Sequence, residues 1–273
     1  MRKKMLFVVF SVILILSVAV SPAGAVTDGE LDGDGHPHVV LLLMETEFGL
    51  RFRCSATLLS PTVVLTAGHC TSNYGYIEEE GDYVAMRVFT ESDVDNGNNN
   101  YPFAGPNSVE ATRWAAHPLY PTAPFFVHDV GMVELAEPIY LDEYGQLPPV
   151  DSLDKLKTKR GLQNRSFTSV GYGLQRINPV FIQADRVRMV AHPHLIQINV
   201  PGFTGDFSLL LSNNHSTGGT CFGDSGGPNF LGDSNVVAGV TSFGLNGNCA
   251  GTGGVFRMDR QNVQDFVYGF MNP

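Results

Sequence analysis

Two stretches of the chain hold residues that could carry out acyl transfer: Leu65-Thr66-Ala67-Gly68-His69-Cys70 and Cys221-Phe222-Gly223-Asp224-Ser225-Gly226-Gly227-Pro228. That chemistry has three requirements. A serine hydroxyl is a poor nucleophile at neutral pH and needs a base within hydrogen-bond reach, commonly a histidine. The histidine needs a carboxylate that fixes its tautomer and stabilises its cation. The negative charge that builds on the attacked carbonyl oxygen needs donors aimed at it, and backbone N–H groups can supply them; losing one comparable donor costs about 3–4 kcal/mol. A glycine suits such a loop because it accepts unusual backbone angles and keeps side chains away from the substrate. The carboxylate is the least determined part, because 27 acidic residues compete for the role.

At these residues the sequence resembles the trypsin-like (chymotrypsin-fold) serine endopeptidases, and the resemblance spans nearly the whole chain from Val26 onward. It implies Ser225 as nucleophile and His69 as general base, then general acid. It implies Asp129, in His128-Asp129-Val130-Gly131-Met132-Val133-Glu134-Leu135, as the orienting carboxylate, and the order His, Asp, Ser agrees with the family. Oxyanion donors are implied at the backbone N–H groups of Gly223 and Ser225. Asp224 is implied to pair with an amino terminus released by cleavage. Val26-Thr27-Asp28-Gly29 stands where the family has Ile-Val-Gly-Gly; Val26 and Gly29 match, and Thr27 and Asp28 depart. Four cysteines allow three connectivities, and the resemblance selects Cys54 with Cys70 and Cys221 with Cys249. Substrate-binding positions fall on Gly219, Ser242, Phe243, Gly244 and Gly254. Gly219 occupies the base of the primary specificity pocket, where an aspartate would select arginine or lysine. A neutral base, side-chain-free walls at Gly244 and Gly254, and Phe243 in place of the usual tryptophan imply a neutral or large apolar P1 residue. The family's catalysis needs no metal, and His192 and His194 have no third ligand at convincing spacing. Glu91, Asp93, Asp95 and Asn98 lie where some relatives bind calcium, but the spacing lacks the bidentate glutamate of an EF-hand loop, with Ala104 in its place.

The elements that must position these residues read mostly as strands. Val39–Met44 is a continuous apolar run, Arg51–Leu59 and Thr62–Thr66 flank the Ser60-Pro61 turn, and Tyr83–Phe89 is partly β-branched and alternating. Val130–Leu135, Ser166–Tyr172, Ala184–Val190, Leu195–Val200, Pro228–Phe230 and Val236–Phe243 read likewise, and residues 93–106 read as a surface loop. Near the C-terminus Val263, Phe266, Val267 and Phe270 recur at i, i+3, i+4 and i+7, one face of a helix, with Asp259 placed to cap it. The expected fold is all-β: two packed antiparallel six-stranded β-barrels and a C-terminal helix, with residues 26–145 supplying His69 and Asp129 and residues 146–273 supplying Ser225.

The first 25 residues read as an export leader: Arg2, Lys3 and Lys4, an apolar run over Leu6–Val20, and Ala23-Gly24-Ala25 as a cleavage site. The run is too short to span a bilayer. Cleavage after Ala25 leaves 248 of the 273 residues and removes three positive charges, taking the net charge from −10 to −13. Export to an extracellular or periplasmic space makes disulfides the expected state of the cysteines. The acidic balance argues against nucleic acid as a partner, and 43% apolar with 16% charged residues argues against disorder. The expected molecule is a secreted monomer without a membrane anchor, acting on protein or peptide substrates and open to protein inhibitors. The competing expectation is a catalytically inactive secreted relative that keeps the fold and works as a binding protein.

Overall fold

The structure is a computed structural model and describes residues 26–72, 81–122, 127–156, 166–177 and 181–272. The leader assigned to residues 1–25 lies outside the described residues.

A short strand, β1 (Glu30–Leu31), precedes six strands that close into a barrel: β2 (Val39–Thr46), β3 (Arg51–Leu58), β4 (Val63–Thr66), β5 (Tyr83–Phe89), β6 (Ser108–Ala116) and β7 (Gly131–Leu135). Around the barrel the order is β2-β3-β4-β7-β6-β5, every pair antiparallel. The continuous apolar run in β2 has a physical reason. Alternate residues of a strand face opposite sides. Val40, Leu42 and Met44 join one core cluster with Ala56, Leu58 and Val133 of the same barrel. Val39, Leu41 and Leu43 join another that includes Val170, Phe230 and Val240 of the second half. Buried on both faces, β2 cannot alternate.

The second half supplies β8 (Phe167–Gly171), β9 (Arg176–Ile177), β10 (Ile182–Gln183), β11 (Met189–Ala191), β12 (Leu195–Val200), β13 (Gly205–Asn213), β14 (Pro228–Leu231), β15 (Val237–Gly244) and β16 (Gly251–Arg257). Eight strands form one sheet in the order β1-β11-β8-β14-β15-β16-β13-β12, and β9 pairs only with β10. The architecture is therefore a closed six-stranded barrel beside a wider half-barrel. β1 pairs with β11, so the segment ahead of the barrel straps onto the second sheet.

Strands β6, β13 and β16 carry weak local signals. β6 alternates poorly and is mostly half-buried. β16 opens Gly-Thr-Gly-Gly, which reads as turn composition. Their pairing partners make them strands: Ser208–Asn213 aligns residue by residue with Gly251–Phe256.

Helix α1 (Gln261–Met271) buries Val263, Val267 and Phe270, as its periodicity predicts. Its cap differs from expectation. The N-cap residue is Arg260, and no side chain caps the turn. Asp259 is fully buried instead; it accepts from Arg257 at 2.7 and 2.9 Å and from the Leu153 N–H at 2.9 Å. Arg257 is equally inaccessible, so removing the carboxylate takes away its fully buried partner and leaves the cation only the half-exposed Asp154, at 2.9 Å. Asp259→Ala should cost about 3–5 kcal/mol in chemical denaturation; a loss below about 1 kcal/mol would refute this role.

Candidate active site

His69 sits on a 3₁₀ turn, Gly68–Cys70, directly after β4. The turn closes through Cys70 N–H to the Ala67 carbonyl at 3.1 Å, and the Cys54–Cys70 disulfide pins it to β3. Asp129 lies two residues before β7, just after His128, whose φ is +58°. Pairing of β4 with β7 sets Thr66 against Gly131, which brings the ends carrying His69 and Asp129 together.

Asp129 has no solvent exposure. Its carboxylate accepts the His69 backbone N–H at 2.9 Å and His69 Nδ1 at 3.0–3.1 Å. Ser242 donates its hydroxyl to the same carboxylate from β15. Burial alone pushes the His69 imidazole down, but the Asp129 charge and hydrogen bond outweigh it, and its pKa lies above the ordinary 6.5.

Ser225 belongs to the tight turn between Cys221 and β14. Asp224 N–H donates to the Cys221 carbonyl at 3.0 Å and Gly227 N–H to the Asp224 carbonyl at 2.8 Å. Gly226 is dictated by the geometry: its φ is +76°, and a Cβ there would collide with the Thr66 hydroxyl. β3 docks onto this turn. Ser55 N–H donates to the Ser225 carbonyl, and Ser55 Oγ to the Gly223 carbonyl, each at 2.9 Å. Gly223 has φ +95°.

One cleft of about 550 Å³ is lined by His69 and Ser225 together with Asn213, Thr220, Ser242 and Thr252, among others. Among the described residues no carboxylate lines it. Phe243 and Gly244 also line it, whereas Gly219 and Gly254 do not. A Cβ on Gly219 would strike the Asn213 side chain, and one on Gly254 the Phe243 ring. In place of the base expected at Gly219, Asn213 and Thr220 line the cleft. Asn213 is 2% exposed, and its Nδ2 donates to the Thr220 carbonyl at 2.7 Å. Nothing local marks Asn213; β13 pairing with β16 carries it there. His215 points away, 94% exposed and 2.9 Å from Asp28.

Cys221 and Cys249 form the second disulfide. Among the described residues, Cys54, His69 and Cys70 are the cluster close enough to hold an ion, but both sulfurs are in a disulfide and offer no thiolate. In the acidic loop, Glu91 accepts from Asn98, Asn99 and Asn107, Asp93 from Asn96, and Asp95 pairs with Arg186 at 2.8 Å.

A family model described as Trypsin matches residues 30–267. The chain belongs to the trypsin family. It is 25% identical to the collagenase of Hypoderma lineatum over 199 residues, covering 73% of this chain and 68% of that protein. It is 27% identical to brachyurin of Leptuca pugilator over 219 residues, covering 78% and 83%. Among solved structures, the trypsin-family chain superposes on HL collagenase with a TM-score of 0.68 at 21% identity, covering 90% of this chain and 99% of that one. Another, GrC, gives 0.65 at 16% identity, covering 90% and 98%.

Asp224 is buried differently from Asp129. Its carboxylate accepts the N–H groups of Gly173 and Cys221, both at 2.8 Å, and forms no ion pair among the described residues. Burial pushes its pKa up to about 7, against the two N–H bonds and the charge of Arg53. Val26 is buried against Met189 and Ala191, and Thr27 pairs with Gly219. A carboxyl whose folded pKa exceeds its unfolded value favours folding at low pH, and that contribution is lost as pH rises through the folded pKa. In a chain that still carries residues ahead of Val26, Asp224→Asn should therefore raise Tm at pH 8 relative to pH 4. An equal shift at both pH values would contradict an uncompensated buried charge.

Proposed function

We propose that this trypsin-family protein is a secreted serine endopeptidase that cleaves peptide bonds through an acyl-enzyme on Ser225. The observation that carries the proposal is the buried Asp129 carboxylate on His69 Nδ1, with His69 and Ser225 on one cleft. Nδ1–H held by Asp129 leaves Nε2 free to take the Ser225 proton. The alkoxide attacks the scissile carbonyl, and the N–H groups of Gly223 and Ser225 receive the oxyanion. His69 then gives its proton to the leaving amine, and water repeats the cycle on the acyl-enzyme. The chemistry uses no metal, and the working form is a monomer.

Leader removal after Ala25 activates the enzyme in this reading. The Val26 ammonium then neutralises Asp224, whose raised pKa marks a site short of a cation. N-terminal sequencing of the exported protein should begin Val-Thr-Asp-Gly; any other start removes this route.

The neutral, largely apolar cleft favours large uncharged P1 side chains, with Asn213 and Thr220 at its polar end. A peptide library should be cut after such residues, and cleavage confined to arginine and lysine would contradict the pocket reading. Asn213→Asp should bring basic P1 residues in, because a carboxylate there pairs with them. The same assay over pH checks the base. Because His69 must be neutral, kcat/KM should fall on the acid side with an apparent pKa above 6.5, and Asp129→Asn should move that limb down.

A further inference from the structure

Ser55, on β3, has no solvent exposure. A buried hydroxyl needs partners for its proton and its lone pairs. Both come from the second half of the chain. Tyr172 N–H donates to Ser55 Oγ at 2.8 Å. The hydroxyl proton goes the other way, to the Gly223 carbonyl at 2.9 Å. The main chain of Ser55 is equally committed. Its N–H donates to the Ser225 carbonyl at 2.9 Å, and its carbonyl accepts the Thr66 hydroxyl at 3.0 Å. The surroundings leave room for this one small side chain. A Cβ on Gly171 would stand 2.9 Å from Ser55 Oγ, and one on Gly227 would stand 2.9 Å from Ser55 Cβ.

Gly223 needs such a restraint. Its φ is +95°, and a glycine can take many other backbone angles at little cost. Its N–H keeps one direction only if the peptides on both sides of it are held. On the near side, the Phe222 carbonyl accepts Leu174 N–H at 2.8 Å. On the far side, the peptide joining Gly223 to Asp224 has two contacts. Asp224 N–H bonds the Cys221 carbonyl at 3.0 Å, within the turn itself. The Ser55 hydroxyl, among the described residues, is the anchor from outside the turn. Any residue at position 55 could supply the backbone bond to Ser225. The bond to Gly223 requires a hydroxyl.

We propose that Ser55 is a positioning residue for acyl transfer: its hydroxyl locks the Gly223 peptide so that the Gly223 N–H stays aimed at the developing oxyanion. It does so from outside the cleft, which Ser55 does not line. A donor fixed in advance costs no reorganisation when charge develops, and this preorganisation is what makes such donors effective. Because Ser55 is sealed from water, no solvent molecule replaces its hydroxyl when it is removed, and both Tyr172 N–H and the Gly223 carbonyl lose a partner.

The proposal rests on the peptidase reading, and the experiment separates the two. Turnover of an internally quenched peptide is measured for the mature wild type, Ser55→Ala and Ser55→Gly. Rates are expressed per active site, counted by fluorophosphonate labelling carried to completion. Binding is measured for a peptide aldehyde, whose adduct with Ser225 puts an oxyanion in the hole, and for the matching peptide alcohol, which forms no adduct. Ser55→Ala should lower kcat per site about 10-fold, part of the 10²–10³-fold that losing a whole donor costs, with KM little changed. It should weaken the aldehyde by a similar factor and leave the alcohol unchanged. The acid limb of the pH profile should stay in place, because the His69–Asp129 pair is untouched. Ser55→Gly, which adds no bulk, should behave alike. A merely structural role would lower Tm and the number of labelled sites while kcat per site stays at the wild-type value. Asp259→Ala, remote from the cleft, should show that pattern and serves as the control. Wild-type kcat per site in either Ser55 variant overturns the proposal, and so does an equal loss of aldehyde and alcohol binding. If neither variant folds, Ser55 is a folding residue and the proposal falls. Failure of the wild type to cut any peptide removes the peptidase reading, whereas cleavage that Ser55→Ala leaves unchanged removes only the role of Ser55.

Discussion

A carboxylate with no access to water stays charged only if the protein supplies the donors that water would have given it. Asp129 is in that position, and its donors come from separate parts of the fold. The His69 backbone and ring reach it from the turn after β4, and Ser242 reaches it from β15 of the other half. Satisfying this one charge fixes the imidazole orientation and holds the two halves in register. The serine turn is then located by the same boundary: Ser55 on β3 bonds the carbonyls of Gly223 and Ser225, and Tyr172 on the second half donates its N–H to Ser55 Oγ at 2.8 Å.

Asp224 shows what happens when the donors fall short. Two N–H groups do not offset its burial, and its pKa rises to about 7. The two buried carboxylates thus have opposite characters. One is saturated and keeps the imidazole raised and oriented. The other has only the N–H groups of Gly173 and Cys221 and no cation among the described residues.

Much of the site was legible because its chemistry needs particular residues next to each other. His69 beside Cys70, and Ser225 among Gly223, Gly226 and Gly227, reflect tight turns whose steric demands are local, and local demands leave local patterns. The β2 run was legible for a similar reason, since burial on both faces removes polar residues from it. Asn213 was not legible. It stands eight residues before Cys221 and reaches the cleft only because β13 pairs with the glycine-rich β16. The bond from Ser242 to Asp129 was also missed; the serine reads as part of a substrate strand, and its hydroxyl direction depends on the other half of the molecule. Asp259 looked like a helix cap by position, yet it turns to the buried Arg257, because losing a buried partner of that cation costs more than an uncapped turn.

In the proposed mechanism, the orientation imposed by Asp129 on His69 makes Ser225 a nucleophile. A fluorophosphonate probe on the mature protein, followed by peptide mapping, tests it most directly. One covalent adduct is expected on Ser225, lost in His69→Ala and slowed as pH falls below the His69 pKa. A folded mature protein that never labels, or that labels equally well without His69, would contradict it.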